Sequence, residues 1–188
     1  PQLSRIIAEP VPGSVIASNC EAVMTEGDSF LVTLERSFIF PTNTSFTAIA
    51  FHFTGLQFDG TTSNAIKDAF EAAILDAQGN PLTYTIGDGR DVFFNITDGQ
   101  SAATASEVTF QSSPVISLPS VVRVSLQHIF PGTPFNLVLR LVNNDRDRTT
   151  TVRLTDVKFV SADGFAATPS TQPLAGASAL VFRRSTGV

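Results

Sequence analysis

Apolar and polar residues alternate along most of this 188-residue chain, the pattern of strands with one face in a core. The alternation is clearest in "SFLVTLERSFIF" (29–40), "SFTAIAFHFTGLQF" (45–58) and "FNLVLRLV" (135–142). Segments rich in turn formers, such as "DGR" and "FPGTP", separate these stretches. The pattern predicts an all-β fold, a two-sheet antiparallel β-sandwich with jelly-roll topology.

One segment, "SNAIKDAFEAAILDAQG" (63–79), fits two structures. Its apolar residues recur at helical spacing, and its residue types favour a helix. The surrounding all-β pattern favours a strand, because a strand keeps its neighbours paired. We predict a turn through Lys67 and a strand from Ala69 to Asp76, and a short helix near 63–76 is the alternative.

The alternation weakens near both ends of the chain. We expect an N-terminal extension (1–13), a sandwich domain (14–162) and a tail rich in Pro, Ala and Ser (163–188). The tail contains "ALVF", which we interpret as a final strand or a partner-binding segment. The start at Pro1 without Met is expected for a piece of a longer precursor.

Composition narrows the classes of function. Sixteen Phe, one Tyr and no Trp indicate a dry core. The net charge of -5 and the absence of long basic runs argue against nucleic-acid binding. No apolar stretch approaches the roughly 20 residues of a membrane-spanning helix. The lone Cys20 cannot form a disulfide within the chain, and we expect a buried small apolar side chain there. Low Lys with many Thr, Ser and Asn fits an extracellular or cell-surface protein.

Four segments together carry a family resemblance: "FTGLQFD", "DAFEAAILDAQGNPL", "DVFFNITDG" and "FPGTPFNLVLRLVNNDRDRTTTVRLTDVKF". In this order they resemble a module of large secreted bacterial surface and matrix proteins, over about residues 48–160. The resemblance implies a jelly roll similar in fold to carbohydrate-binding modules. It also implies a structural calcium ion beside the terminal strands, and Asp156 stands where such folds often carry a calcium ligand.

Acidic and amide side chains cluster in "LVNNDRDRTTTVRLTDVKF" (141–159). Alternate residues in an extended turn point to one side, and Ca²⁺ takes six to eight such oxygen ligands. A helical EF-hand is excluded, since Arg148 stands where the loop needs Gly. We predict a structural Ca²⁺ site, and a solvated turn whose acids pair with Arg146 and Arg148 is the alternative. The predicted metal ligands are Asp59, Asp68, Asn143, Asp145, Asp147 and Asp156.

Carbohydrate binding is the second hypothesis for function. Sugar-binding sandwiches commonly stack rings on exposed Tyr or Trp, and Tyr84 is the only such side chain. The polar candidates are Asn95 and Asp98, with Asn143 and Asp145 beside a bound ion. An enzyme is not expected, because no carboxylates are paired at glycosidase spacing and no "GxSxG" occurs.

The sequence therefore predicts a non-enzymatic extracellular module. We expect a structural or adhesive role in a surface, matrix or filament assembly, with calcium for stability. The expected partners are neighbouring copies or modules of the same assembly, and polysaccharide is the further partner considered. A carbohydrate-binding module of a secreted multidomain protein is the alternative.

Overall fold

The computed structural model describes residues 11–18, 21–42, 45–59, 66–144 and 148–161, and the backbone of residues 178–183. These residues form twelve strands and no helix. The strands are β1 (Ser14–Ser18), β2 (Glu21–Thr25), β3 (Ser29–Ile39), β4 (Phe46–Gln57), β5 (Ala69–Leu75), β6 (Phe94–Thr97), β7 (Ala103–Thr104), β8 (Val108–Gln111), β9 (Ser120–Ser125), β10 (Pro134–Val142), β11 (Thr151–Ser161) and β12 (Ser178–Arg183).

The strands form two sheets, both antiparallel throughout. The first sheet has the order β1-β2-β11-β4-β9-β8, and the second has the order β12-β3-β10-β5-β6-β7. The long strands β3, β4, β5, β9, β10 and β11 alternate between the two sheets along the chain, so most long strands pair with strands that are distant in sequence. The predicted two-sheet antiparallel sandwich is confirmed, and the strand order is compatible with a jelly roll.

Phe side chains fill the space between the sheets, as the composition predicts. Phe51 of β4 is fully buried. Its ring centroid lies 6.5 Å from that of Phe70, 6.5 Å from that of Phe93 and 6.2 Å from that of Phe94, all with edge-on geometry. Such contacts add to the stability that comes from burying apolar area. The period of two along β4 and β5 puts Phe51 and Phe70 on the inner faces of their sheets.

The segment that fits both helix and strand is a strand in the structure. β5 lies inside the second sheet, paired with β10 on one side and β6 on the other. A helix here would leave main-chain groups of both neighbours without partners. Tertiary pairing therefore overrides the local helical preference. The predicted strand is confirmed, and the helix alternative is wrong for residues 66–76, while residues 60–65 lie outside the described residues.

We expect Ile74→Val to lower the free energy of unfolding by about 1 kcal/mol. Ile74 is fully buried on the inner face of β5, so the lost methyl group leaves a small cavity. The matched control is Ile116→Val, because 62% of Ile116 is exposed and its change should leave stability nearly unaltered. Denaturant unfolding of both variants checks this, and equal effects would contradict the assigned inner face.

Both ends of the described chain pack against the sandwich. The N–H of Val11 donates to Asp28 Oδ2 (2.5 Å), and the N–H of Gly13 donates to Ser29 Oγ (2.8 Å). A Cβ at Gly13 would lie 2.3 Å from the carbonyl oxygen of Glu26, so only glycine fits this approach. At the other end, β12 lies along the edge of β3, and it contains the predicted strand "ALVF".

Among the described residues there is no helix that could cross a membrane.

Candidate metal centre

Three carboxylates meet at one end of the sandwich. Glu26 follows β2, Asp59 lies just beyond the end of β4 and Asp68 directly precedes β5. One oxygen from each lies within 4.8 Å of the others. Glu26 and Asp68 are fully buried, and Asp59 is partly buried. We call Glu26, Asp59 and Asp68 the carboxylate triad.

Thr150, at the start of β11, connects all three acids. Its N–H donates to Glu26 Oε1 (3.0 Å), and its Oγ1 lies 2.8 Å from Asp59 Oδ1 and 2.9 Å from Asp68 Oδ2. A hydroxyl carries one proton, so it can donate to only one of the two carboxylates at a time. The contact between Thr150 Oγ1 and the carboxylate that receives no proton is repulsive unless another proton or a cation lies nearby.

Further main-chain donors hold the two aspartates in position. The N–H of Thr149 donates to Asp59 Oδ2 (2.6 Å), and the N–H of Asn144 donates to Asp68 Oδ1 (2.7 Å). Residues 144, 149 and 150, between β10 and β11, therefore contact the triad from one side. These donors stabilise charged aspartates, while Glu26 accepts a main-chain bond on one oxygen only.

The surroundings of the triad disfavour a negative charge on Glu26. Burial raises the pKa of Glu26 to about 9, the N–H of Thr150 acts against this shift, and neighbouring Asp59 and Asp68 raise it further. Glu26 Oε2 is buried and has no hydrogen-bond partner among the described residues. A buried polar atom without a partner costs free energy. Either a proton or a metal ion at this position would remove that cost.

The donor set suits a hard metal ion. All three acids offer carboxylate oxygens, and Thr150 adds a hydroxyl oxygen. Oxygen-only donor sets favour Ca²⁺, Mg²⁺ or Mn²⁺, whereas zinc and copper sites usually include His or Cys. Since the three acids are close together, two of them are fully buried and one oxygen of Glu26 has no hydrogen-bond partner among the described residues, the triad can hold a metal ion.

The structure brings some of the predicted metal ligands together. Asp59 and Asp68 belong to the triad. Asn143 is buried beside it, and its Nδ2 donates to the carbonyl oxygen of Gly27 (3.1 Å). Asp145 and Asp147 lie outside the described residues.

Asp156 lies on β11, about 20 Å along the strand from Thr150. Its Oδ2 lies 2.8 Å from Lys158 Nζ, and the structure does not bring it near Asp59 or Asp68. The solvated-turn alternative pairs Arg148 with acids of its own stretch. In the structure, Arg148 Nε lies 2.7 Å from Oδ1 of Asp28, in the turn after β2.

Glu26 and Thr150 are not among the metal ligands predicted from the sequence. The alternation of buried residues along β2 could have indicated Glu26. Ala22, Met24 and Glu26 are alternate residues, and all three are fully buried. Thr150 precedes the buried Val152 in the same way. A carboxylate that continues the core face of a strand is an unusual position for an acid.

Two of the three predicted sugar-binding residues lie near each other. Asn95 Nδ2 donates to Glu71 Oε1 (3.0 Å), which also accepts from Arg90 Nη2 (2.9 Å). Asp98 Oδ2 accepts from Lys67 Nζ (3.1 Å). An open groove of about 620 Å³ on the outer face of the second sheet is bordered by Glu71, Arg90 and Asn95, whereas Asp98 is not part of its lining. We call it the outer groove, and its polar lining includes Lys67, Glu71, Arg90, Asn95, Gln100 and Asn144.

Tyr84 does not line the outer groove. Its ring packs edge-on against His128, with the ring centroids 5.1 Å apart, and 52% of the residue is exposed. His128 Nε2 in turn lies 3.1 Å from Glu107 Oε1. The predicted sugar-binding residues therefore belong to two separate places on the surface.

Comparison with known proteins identifies no relative: the sequence matches no protein-family model and no curated protein.

Proposed function

We propose that this chain is a non-enzymatic extracellular module with a structural or adhesive role in a surface, matrix or filament assembly. We further propose that a calcium ion held by the carboxylate triad stabilises it. The single observation that carries the proposal is the buried triad itself, in which Glu26 Oε2 has no partner among the described residues. A cation there would have a structural role, because the acids are enclosed by the fold.

The position of the triad supports a mechanical role for the ion. Glu26, Asp59, Asp68 and Thr150 come from four separate chain segments, and Thr150 is 124 residues from Glu26 in sequence. An ion bound to all of them would cross-link the ends of β2 and β4 to the starts of β5 and β11. The turn after β2 also holds residues 11–13, so the ion would stiffen the point at which the N-terminal extension joins the sandwich.

Calcium is favoured over magnesium by the shape of the donor set. Ca²⁺ accepts irregular shells of carboxylate, hydroxyl and carbonyl oxygens, whereas Mg²⁺ demands a near-ideal octahedron and gives up its water reluctantly. The triad is fixed by main-chain hydrogen bonds and is largely enclosed. A rigid, dry site of this kind disfavours a hydrated Mg²⁺ ion.

Absence of catalysis is part of the proposal. The clustered carboxylates of the triad are buried, so a sugar ring does not reach them. In the outer groove, Glu71 is held by Arg90 and Asn95, and a glycosidase needs a second carboxyl group at about 5–10 Å across an open cleft. Turnover of generic glycoside and ester substrates tests this part, and we expect none.

The experiment that tests the assembly role is size-exclusion chromatography with electron microscopy of the full chain. We expect concentration-dependent oligomers or filaments in calcium, and fewer of them with a chelator or with Glu26→Gln. Glu21→Gln is the matched control. Glu21 forms an exposed ion pair with Arg153 and is not part of the triad. A chain that stays monomeric at every concentration in calcium would contradict the proposal.

Carbohydrate binding is the second candidate, and the outer groove favours it. Its side chains are already oriented by hydrogen bonds to one another, and planar amide and carboxylate groups suit pairs of sugar hydroxyls. The groove also borders the triad, because Asn144 lines the groove and its N–H donates to Asp68 Oδ1 (2.7 Å). A calcium ion would therefore steady the wall of the groove.

A polysaccharide pull-down separates the two candidates. If the module is a sugar binder, Asn95→Ala should weaken retention by about tenfold, because it removes a hydrogen-bonding group from the groove. Asn136→Ala is the matched control, since Asn136 contacts Ser37 on the same sheet but does not line the groove. Retention on no polysaccharide tested would leave the assembly role as the surviving candidate.

A further inference from the structure

β12 is attached to the sandwich along one edge only. It is the end strand of its sheet and pairs with β3, with Ser178 opposite Glu35 and Phe182 opposite Leu31. The register shifts at Arg183, where the pairing ends. A strand at the end of a sheet can leave without breaking any other strand pair. Its departure would uncover the outer edge of β3 and leave the other pairings intact.

The part of β3 that pairs with β12 has no charged side chain before Glu35. The sequence "SFLVTL" (29–34) is uncharged, and Glu35 and Arg36 follow it. Proteins commonly protect an open sheet edge with charges, prolines or bulges, because an unprotected edge pairs with any strand that fits. Here the unprotected length is the one that β12 covers. The edge of β3 therefore requires an added strand.

The chain that leads to β12 is longer than the path requires. β11 ends at Ser161 and β12 begins at Ser178, with residues 162–177 between them. The ring of Phe159 lies 5.7 Å from that of Phe38 on β3. The two ends of the connection are thus about 20 Å apart by strand rise and sheet spacing. Seventeen extended residue steps span about 55 Å, enough to reach a neighbouring molecule.

We propose that the outer edge of β3 is an exchangeable strand-binding site, filled by the chain's own β12 when the chain is alone and by β12 of a second copy in the assembled state. This inference rests on the proposed assembly role and names its partner and contact. The main-chain hydrogen bonds are identical in the two arrangements, because the same two strands pair in the same register.

Concentration decides between the two arrangements. A connection of this length keeps β12 at a local concentration on the order of 1 mM near its own β3. In dilute solution the chain therefore fills its own edge. Where copies are crowded at comparable concentration, the strand of a neighbour competes. Reciprocal exchange gives a closed dimer, and successive exchange from copy to copy gives an open filament.

The test uses cysteine pairs across β3 and β12 in a Cys20→Ser background. Leu180 lies opposite Thr33, and opposed residues of antiparallel strands are within disulfide range. One batch carries Thr33→Cys, and a second batch, with a tag of different mass, carries Leu180→Cys. The batches are mixed, assembled in calcium at about 1 mM, oxidised and compared with a mixture at about 10 µM. A single chain with both substitutions checks the register.

We expect a disulfide-linked heterodimer in most chains of the concentrated mixture and in few chains of the dilute one. The double variant should close within the chain at low concentration. The control mixture pairs Leu180→Cys with Ile39→Cys, an exposed residue of β3 beyond the reach of β12, and it should form no heterodimer.

Two results would overturn strand exchange: a double variant that does not close at all, or a concentrated mixture without heterodimer. Electron microscopy of the same samples separates this inference from the assembly role. Filaments without heterodimer would mean that the chain assembles through another surface, so exchange fails and the assembly role stands. Heterodimer without larger particles would support exchange as a dimer contact and count against a filament role.

Discussion

Calcium added to the metal-free protein is expected to raise its melting temperature by roughly 5–10 °C at about 100 times the dissociation constant. Binding at that ratio stabilises the folded state by about 2.7 kcal/mol, and each kcal/mol shifts the melting temperature of a domain of this size by about 2–4 °C. Glu26→Gln should remove most of the shift, because an amide offers the ion one neutral oxygen where the carboxylate offers a charge. Thermal unfolding followed by circular dichroism measures it.

The control for the calcium experiment is Glu21→Gln, which removes an exposed carboxylate and leaves the triad intact. This variant should keep the full calcium shift. Magnesium at the same concentration should give a smaller shift than calcium, since Mg²⁺ demands a near-ideal octahedron of ligands and gives up its water reluctantly. If calcium and a chelator leave the melting temperature of the unmodified protein unchanged, the triad does not hold this ion.

Stability of the metal-free protein should fall as the pH rises from about 5 to about 9. Folding raises the pKa of Glu26 from its ordinary value of 4.5 to about 9. Between these values the folded protein keeps a proton that the unfolded chain releases, so a higher pH favours unfolding. The contribution is complete below pH 4.5 and is lost as the pH passes through 9, at a cost on the order of a few kcal/mol. Denaturant unfolding in chelator across this range measures it.

Glu26→Gln distinguishes this mechanism from a general effect of pH. The amide stays neutral at every pH, so the variant should show a flatter slope than the unmodified protein. Without metal and near pH 9 it should be the more stable of the two, whereas in calcium it should be the less stable. Equal pH slopes in chelator would show that Glu26 does not carry the raised pKa, and the buried-charge account of the triad would fail.

Some strands can be predicted from the local alternation of apolar and polar residues alone, without knowing which strands they pair with. In β10 every second residue from Phe135 to Leu141 is apolar and buried, and in β4 the same holds from Ile49 to Phe53. Only an extended chain puts such residues on one face. The Phe-rich composition likewise predicted the dry core in which Phe51 meets three other rings.

β5 shows where local pattern is not enough. Its residues suit a helix by intrinsic preference, and the strand exists because β10 and β6 lie on either side of it. The hydrogen bonds of those neighbours outweigh a preference of a few tenths of a kcal/mol per residue. A single sequence contains no direct record of that pairing.

The candidate metal centre likewise contains residues that the sequence predicts and residues that it does not. Asp59 and Asp68 were among the metal ligands predicted from the sequence, whereas Glu26 and Thr150 were not predicted. Thr150 is 82 residues from Asp68 and 124 from Glu26 in sequence. Only strand pairing makes these residues neighbours.

By itself, the sequence determined the sandwich, the Phe core and the surplus of oxygen ligands, because each follows from the order of residue types along an extended chain. The tertiary structure alone decided which oxygens meet, that β5 is a strand and that β12 covers β3. The raised pKa of Glu26 and the capacity for a metal ion come from burial and close approach of charges. Those quantities arise only when the two sheets close on each other.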